Sequence, residues 1–160
     1  MQNLDLKFVY GNLKEKEKQN ILNMWLSAGV LQKEEAIKRV EQVSVIIFNS
    51  TNEIVGVSTV YPAYLTPNNP YFFFRMFIKQ EFRGTNIKIK VMWLNFSELK
   101  NKFSNKLNGI VVELENEKLA RLGKNTNYMI KKGFIYHGES ARNLQLWYVN
   151  FDEPKGIFFK

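Results

Sequence analysis

Hydrophobic positions change period several times along this chain, and the changes divide it into elements. Leu4, Leu6 and Phe8 alternate with Asp5 and Lys7, which predicts a short strand over 4–10, closed by a turn at Gly11. Asn12 stands three residues before Glu15, the spacing of a capping box. It predicts a helix to about Ala28, with Leu13, Ile21, Trp25 and Ala28 on the buried side. A second amphipathic segment over 33–42 turns Ala36, Ile37 and Val40 inward. The pattern then becomes that of strands. Val43–Phe48 and Ile54–Tyr64 are β-branched runs joined by Asn49-Ser50-Thr51-Asn52, a hairpin pattern. Pro62, Pro67 and Pro70 mark the next loop. Tyr71–Ile78 is apolar on both alternating faces except at Arg75, as in a central strand covered on both sides. Ile87–Phe103 returns to helical spacing at Ile89, Met92, Trp93, Phe96, Leu99 and Phe103, and Gly109–Leu114 reads as another buried strand. Glu117–Lys132 reads as a helix broken near Gly123 and stopped by Gly133. Phe134–His137 and Leu144–Val149 close the chain as two strands, ahead of a short aromatic tail within 151–160. Trp25, Trp93 and Trp147 take core-facing positions, and His137 is expected to be exposed.

This order, β-α-α-β-β-β-α-β-α-β-β, predicts a mixed α/β (α+β) single domain over residues 1–160. With 160 residues, 45% hydrophobic and 14% aromatic, the chain can bury a sizeable core and is not disordered. The absence of cysteine excludes disulfides, thiolate metal sites and a cysteine nucleophile; a single histidine, His137, argues against histidine metal clusters and a Ser-His-Asp triad. No metal is expected. The net charge of +8 favours anionic partners, but it comes from dispersed lysines with Arg only at 39, 75, 83, 121 and 142. A basic nucleic-acid-associated domain is therefore a minor alternative. No apolar run approaches the roughly 18–20 residues of a membrane span, and Asp5 interrupts the start where a secretory signal needs an apolar core. A cytoplasmic protein without membrane association is the expectation.

The stretch that bears on chemistry is Phe77-Ile78-Lys79-Gln80-Glu81-Phe82-Arg83-Gly84-Thr85-Asn86-Ile87: a buried strand, a short polar loop with Arg-Gly, and a helix opening directly from it. Unpaired N–H groups at such a junction point along the positive end of a helix and favour an anion. The segment resembles motif A of the GNAT (GCN5-related N-acetyltransferase) family, in which a strand ending in V-x-P-x-(Y/F)-R-G leads into a pyrophosphate-binding loop. Ile78, Gln80, Phe82, Arg83 and Gly84 fall in those places, with Gln80 where Pro is usual. Lys131-Lys132-Gly133-Phe134 is similar to the family's Lys-x-Gly-Phe signature.

The resemblance implies a central, mixed and strongly twisted sheet of about seven strands flanked by about four helices. It implies acetyl-CoA as cofactor, bound where the strand ending at Ile78 splays from Gly109–Leu114. Backbone amides near Phe77 and Ile78 would hold the pantetheine and thioester, those of Arg83, Gly84, Thr85, Asn86, Ile87 and Lys88 the pyrophosphate, and Asn116 the pantetheine arm. In (Arg/Gln)-x-x-Gly-x-(Gly/Ala), Asn86 and Lys88 take the two small-residue places. Asn tolerates a left-handed turn better than other non-glycine residues; Lys88 either obstructs the phosphate or adds a charge to it. The implied activity is transfer of acetyl to a primary amine by direct attack on the thioester. Transfer needs a base for the amine and an acid for the thiolate. Glu113 and Glu115 are the nearest candidate bases, and Tyr128, one residue from the family's Tyr position at Met129, is the candidate acid. The acceptor is expected to be a small-molecule or peptide amine, and a homodimer is left open. The altered loop and displaced Tyr support an alternative, a GNAT-fold binding or interaction protein without catalysis.

Overall fold

The computed structural model describes residues 3–84, 86–115 and 125–154, with backbone alone at 125–127. The elements are β1 (Asp5–Phe8), α1 (Glu15–Ala28), α2 (Lys33–Val40), β2 (Val43–Phe48), β3 (Ile54–Thr66) and β4 (Asn69–Ile78). A single 3-10 turn (Gln80–Phe82), α3 (Ile87–Phe103), β5 (Gly109–Glu113), α4 (Asn125–Lys132), β6 (Ile135–Glu139) and β7 (Gln145–Asn150) follow. The strands form a seven-stranded sheet in the order β1-β2-β3-β4-β5-β7-β6. β4 and β5 run parallel, Phe72–Phe74 against Ile110–Val112, while β1·β2, β2·β3, β5·β7 and β6·β7 are antiparallel. The sheet is therefore mixed, as expected, and the element order agrees with the hydrophobic pattern.

Several details differ, each for a physical reason. α1 begins at Glu15, because the Glu17 carboxylate reaches back to accept the Lys14 N–H at 3.1 Å; Asn12 instead donates its own N–H to the Val9 carbonyl in a turn. Ala28 is exposed at the helix end, where Gly29 takes a φ of 68° and returns its N–H to Leu26. α2 has only eight residues and buries Ala36 and Val40, which leaves Ile37 51% exposed. Pro62 lies inside β3 and Pro70 inside β4, so the loop between them shrinks to Pro67-Asn68, with Asn68 at φ 69°. On β4, Phe72, Phe74 and Ile78 are buried while Phe73, Arg75 and Phe77 are only half-buried. One face of that strand is thus more open than its apolar sequence predicts. The expected helix over 117–132 is described from Asn125, and Gly133 ends it with φ 104°.

Two compact units divide the chain, Met1–Val60 with Met76–Asn95 and Tyr61–Arg75 with Phe96–Lys160. In the first, Ile21, Met24 and Trp25 of α1 and Ala36 and Val40 of α2 pack on Val43, Ile46, Ile54 and Val57. Each large side chain so buried contributes about 1.5–3 kcal/mol. A polar chain is threaded through the same unit: the Ser44 and Ser58 hydroxyls are 2.8 Å apart, and Asn95 of α3, fully buried, donates to Ser58 Oγ at 3.0 Å and to the Val91 carbonyl at 2.9 Å. In the second unit, Tyr71, Val111 and Leu146 form a small cluster with Leu65, Phe73 and Tyr148 against it. Trp147 and Phe151 are fully buried, Phe151 with its ring 5.4 Å from that of Phe96.

Gly56 sits inside a β-branched run on β3, where glycine otherwise weakens a strand. A Cβ there would lie 2.8 Å from the Phe77 carbonyl oxygen and 3.2 Å from Ile78 Cα, so the end of β4 rests on bare backbone. We expect Gly56→Ala to lower unfolding stability in urea by about 1–3 kcal/mol, with no change in the m-value.

Candidate functional site

The end of β4 is built by alternation. The Phe77 carbonyl lies over Gly56 on β3, and the Lys79 N–H donates to the Val55 carbonyl at 2.8 Å, so both residues face β3. Ile78, between them, directs its N–H and carbonyl to the opposite side. That carbonyl accepts the Arg83 Nε–H at 2.7 Å, and the Arg83 guanidinium stands 5.9 Å from the Phe77 ring centre. The arginine therefore ties the turn to the strand end and does not project from the loop. Its own N–H donates to the Gln80 carbonyl at 3.2 Å, which leaves it badly placed for a ligand. Gly84 follows with φ 84° and nothing within 4 Å of where a Cβ would be. The backbone at Gly84 is therefore open to close approach, and its glycine is required by conformation, since no neighbour crowds it.

The Lys90 N–H donates to the Asn86 carbonyl at 3.2 Å, which makes Asn86 the residue from which α3 is bonded. The amides of Lys88 and Ile89 precede that bond and have no acceptor within the helix. Lys88 is exposed, and Ile87 is buried under the first turn. An open glycine backbone, a helix N-terminus and a lysine thus follow one another within the first unit. This arrangement fits an anionic group such as a pyrophosphate.

The candidate bases and the candidate acid lie in the second unit. Arg142, in the turn between β6 and β7, donates through Nη2 to Glu113 Oε1 and, at 2.7 Å, to Glu115 Oε1. Burial works against the Glu113 carboxylate, but hydrogen bonds from Arg142 and Ser140 and the charges of Arg142 and Arg75 outweigh it and hold the carboxyl below its ordinary range. A carboxylate so held is a weak base. Tyr128, on α4, is 45% exposed with the Lys132 ammonium 5.2 Å from its ring centre, whereas Met129 is buried.

No family model and no curated protein sequence matches the chain. Solved structures do. An acetyltransferase of the GNAT family from Streptococcus pneumoniae aligns with 92% of this chain and 99% of its own, at 10% identity and a TM-score of 0.60. The ribosomal-protein-S5-alanine acetyltransferase from Vibrio fischeri aligns with 97% of this chain and 99% of its own, at 13% identity and a TM-score of 0.64. The diaminobutyrate acetyltransferase from Paenibacillus lautus, in complex with its substrate L-2,4-diaminobutyric acid and coenzyme A, aligns with 98% of this chain and all of its own, at 11% identity and a TM-score of 0.57. The chain has the GNAT fold. Within that fold, Phe77, Ile78, Arg83, Gly84, Asn86, Ile87 and Lys88 are continuous on the first unit, and Glu113 and Glu115 are brought together on the second by one arginine. Thr85 and Asn116 lie outside the described residues. Among the described residues no group of acidic and histidine side chains could hold a metal ion, and no helix is long and apolar enough to cross a membrane.

Sequence reasoning missed Gly56, which seats the strand end in the first unit of this GNAT fold, and Arg142, which holds the carboxylate pair in the second. Gly56 was signalled by a glycine within a β-branched run; Arg142 carries no local signal, because its partners are 27 and 29 residues away. We expect Arg142→Ala to raise the Glu113 pKa to or above the ordinary carboxylate range, read by carboxyl NMR titration. The Glu113 pKa is lowered in the folded state, so its stabilisation is present above the unfolded carboxylate pKa of about 4.3 and is lost as pH falls through the folded value. The stability gap between wild type and variant, about 1 kcal/mol or less for an exposed cluster, should therefore close on acidification.

Proposed function

We propose that the protein is an acetyl-CoA-dependent N-acyltransferase that moves an acetyl group to a primary amine by direct attack on the thioester. The observation that carries this reading is the run from Gly84, open and left-handed, through Asn86 to the exposed Lys88 on the first turn of α3. Gly84, Asn86 and Lys88 would hold the pyrophosphate, with Ile87 fixing the turn from below, and the Ile78 N–H would meet the pantetheine arm. Bound acetyl-CoA supplies an acyl group activated as a thioester. The Paenibacillus neighbour, whose complex holds a diamine amino acid and coenzyme A, supports both the amine and the carrier. Glu115, with 60% of its side chain exposed, is the carboxylate able to exchange its arginine for an incoming ammonium and accept a proton; Glu113 remains the fixed member of the pair. Tyr128 is the hydroxyl assigned to protonate the departing thiolate.

Calorimetric titration with coenzyme A tests the loop. Lys88→Ala should weaken binding by about 1 kcal/mol, the scale of a charge-assisted contact at an exposed position. Tighter binding in the variant would mean that the lysine obstructs the site. The altered loop residues Asn86 and Lys88 and the buried Met129 at the place of the family's Tyr favour a second reading, a GNAT-fold binding protein that does not transfer. Coenzyme A binding without release of free thiol from acetyl-CoA, across a panel of amines, selects that one.

A further inference from the structure

A groove of about 1100 Å³ opens wholly within the first unit, between the C-terminal half of α1, the β2–β3 hairpin and the segment after β4. Its lining includes the apolar side chains of Met24, Ile54 and Phe77. Carboxamides line it as well: Asn20 and Asn23 from α1, Asn52 from the hairpin and Gln80 beyond β4. The side chains of these four make no hydrogen bond to another described residue, unlike Asn49, whose Oδ1 is occupied by the Thr51 and Glu53 N–H groups. The charges around the groove cancel, Lys79 and Arg83 against Glu53 and Glu81. Two of them are engaged as well: Arg83 Nε donates to the Ile78 carbonyl, and Glu53 Oε1 accepts the Thr51 hydroxyl at 2.7 Å.

This chemistry discriminates between occupants. A polyamine needs a surplus of carboxylates, and a nucleic acid needs a surplus of cations; the groove has neither. A carboxamide offers a donor and an acceptor together, the same pair that each peptide unit presents. Asn20 and Ser27 are separated by about 10 Å along the helix, the rise of three residues of extended chain. The volume also lies at or beyond the upper end of ordinary small-ligand pockets, about 300–1000 Å³. We infer that the groove recognises a polypeptide acceptor. An extended segment lies along it, main chain paired with Asn20, Asn23, Asn52 and Gln80, and one apolar side chain rests on Met24, Ile54 and Phe77. This rests on the acyltransferase reading for what is then done to the segment, but not for its binding.

The test uses the full chain labelled with ¹⁵N, a pool of mixed-sequence octapeptides each bearing one internal lysine, and spermidine as comparison. The side-chain NH₂ signals of Asn20, Asn23, Asn52 and Gln80 should shift with the peptide pool and not with spermidine. The double variant Asn20→Ala/Asn23→Leu, altered only at exposed helical positions of α1, should bind the pool at least tenfold more weakly while keeping the wild-type thermal shift with coenzyme A. The inference is overturned if the four signals ignore the peptides, if spermidine moves them equally, or if the double variant binds as wild type does. Coenzyme A response without peptide binding removes the groove alone; peptide binding without coenzyme A response removes the acyltransferase reading alone.

Discussion

Gly109→Ala should prevent folding or lower the thermal midpoint by about 10 °C or more. Gly109 opens β5 opposite Asn150 on β7. A Cβ there would lie 1.9 Å from the Val149 carbonyl oxygen and 3.0 Å from Asn150 Cα, distances that no side-chain adjustment relieves, because both obstacles are backbone. The strand cannot retreat freely either. The Asn108 N–H donates to the Pro70 carbonyl at 2.9 Å, and the Asn108 carbonyl accepts the Phe151 N–H at 2.8 Å, which pins the preceding residue from both sides. Opening the contact would break these bonds and disturb Val149 and Phe151, both buried. Gly11→Ala is the matching control: its φ of 80° is strained for alanine, but nothing lies within 4 Å, so about 1 kcal/mol is expected. Differential scanning calorimetry of the two variants separates a collision from a dihedral cost; similar midpoints would mean that β5 and β7 are less closely joined than described.

Gly84→Val is expected to abolish the response to cofactor while leaving a folded protein. With acetyl-CoA at about 100 times its dissociation constant, wild type should gain roughly 2.7 kcal/mol. The open space around Gly84 means that valine would meet no neighbour; the difficulty is its φ of 84°, where a β-branched residue is strongly disfavoured. Relief requires the loop to leave the left-handed region, which rotates the peptide planes on either side of residue 84. Gly84→Asn, better tolerated at positive φ, should keep most of the gain. If Gly84→Val and Gly84→Asn respond to acetyl-CoA alike, the loop does not hold the pyrophosphate and the proposed function loses its principal support.

The hydrophobic pattern made the element order legible because each element repeats its signal over several residues. α3 shows both the strength and the limit of that signal. Its bounds, Ile87–Phe103, follow from the spacing, but its buried stripe runs through Ile87, Val91, Met92, Asn95, Phe96 and Leu99, while Trp93 is 48% exposed. Residue type pointed to the tryptophan; the helix instead buries an asparagine, because Ser58 on β3 offers a partner that the local sequence does not reveal. Pro62 and Pro70 misled in the same manner, since β3 and β4 accommodate them within strands. The candidate loop was legible through its Arg-Gly pair, while the left-handed turn, suggested by the sequence at Asn86, is found at Gly84. The acid pair was legible only as two carboxylates near a strand end. Their chemistry is decided by Arg142, and long-range pairing of that kind leaves no periodic trace.

The buried Asn95 also bears on how this protein relates to its neighbours in shape. Turning α3 by one residue, about 100°, would carry the carboxamide off Ser58 and into hydrocarbon, at a cost of about 1–3 kcal/mol. The helix is therefore keyed like a shaft to its hub, about two turns below its open end. A mooring placed there fixes the rotation of the helix apart from its first turn, so lysine at 88 can stand where the resembled pattern has a small residue. The form of such a loop is held from elsewhere than its own letters, so a likeness that is faint in spelling remains plain in shape.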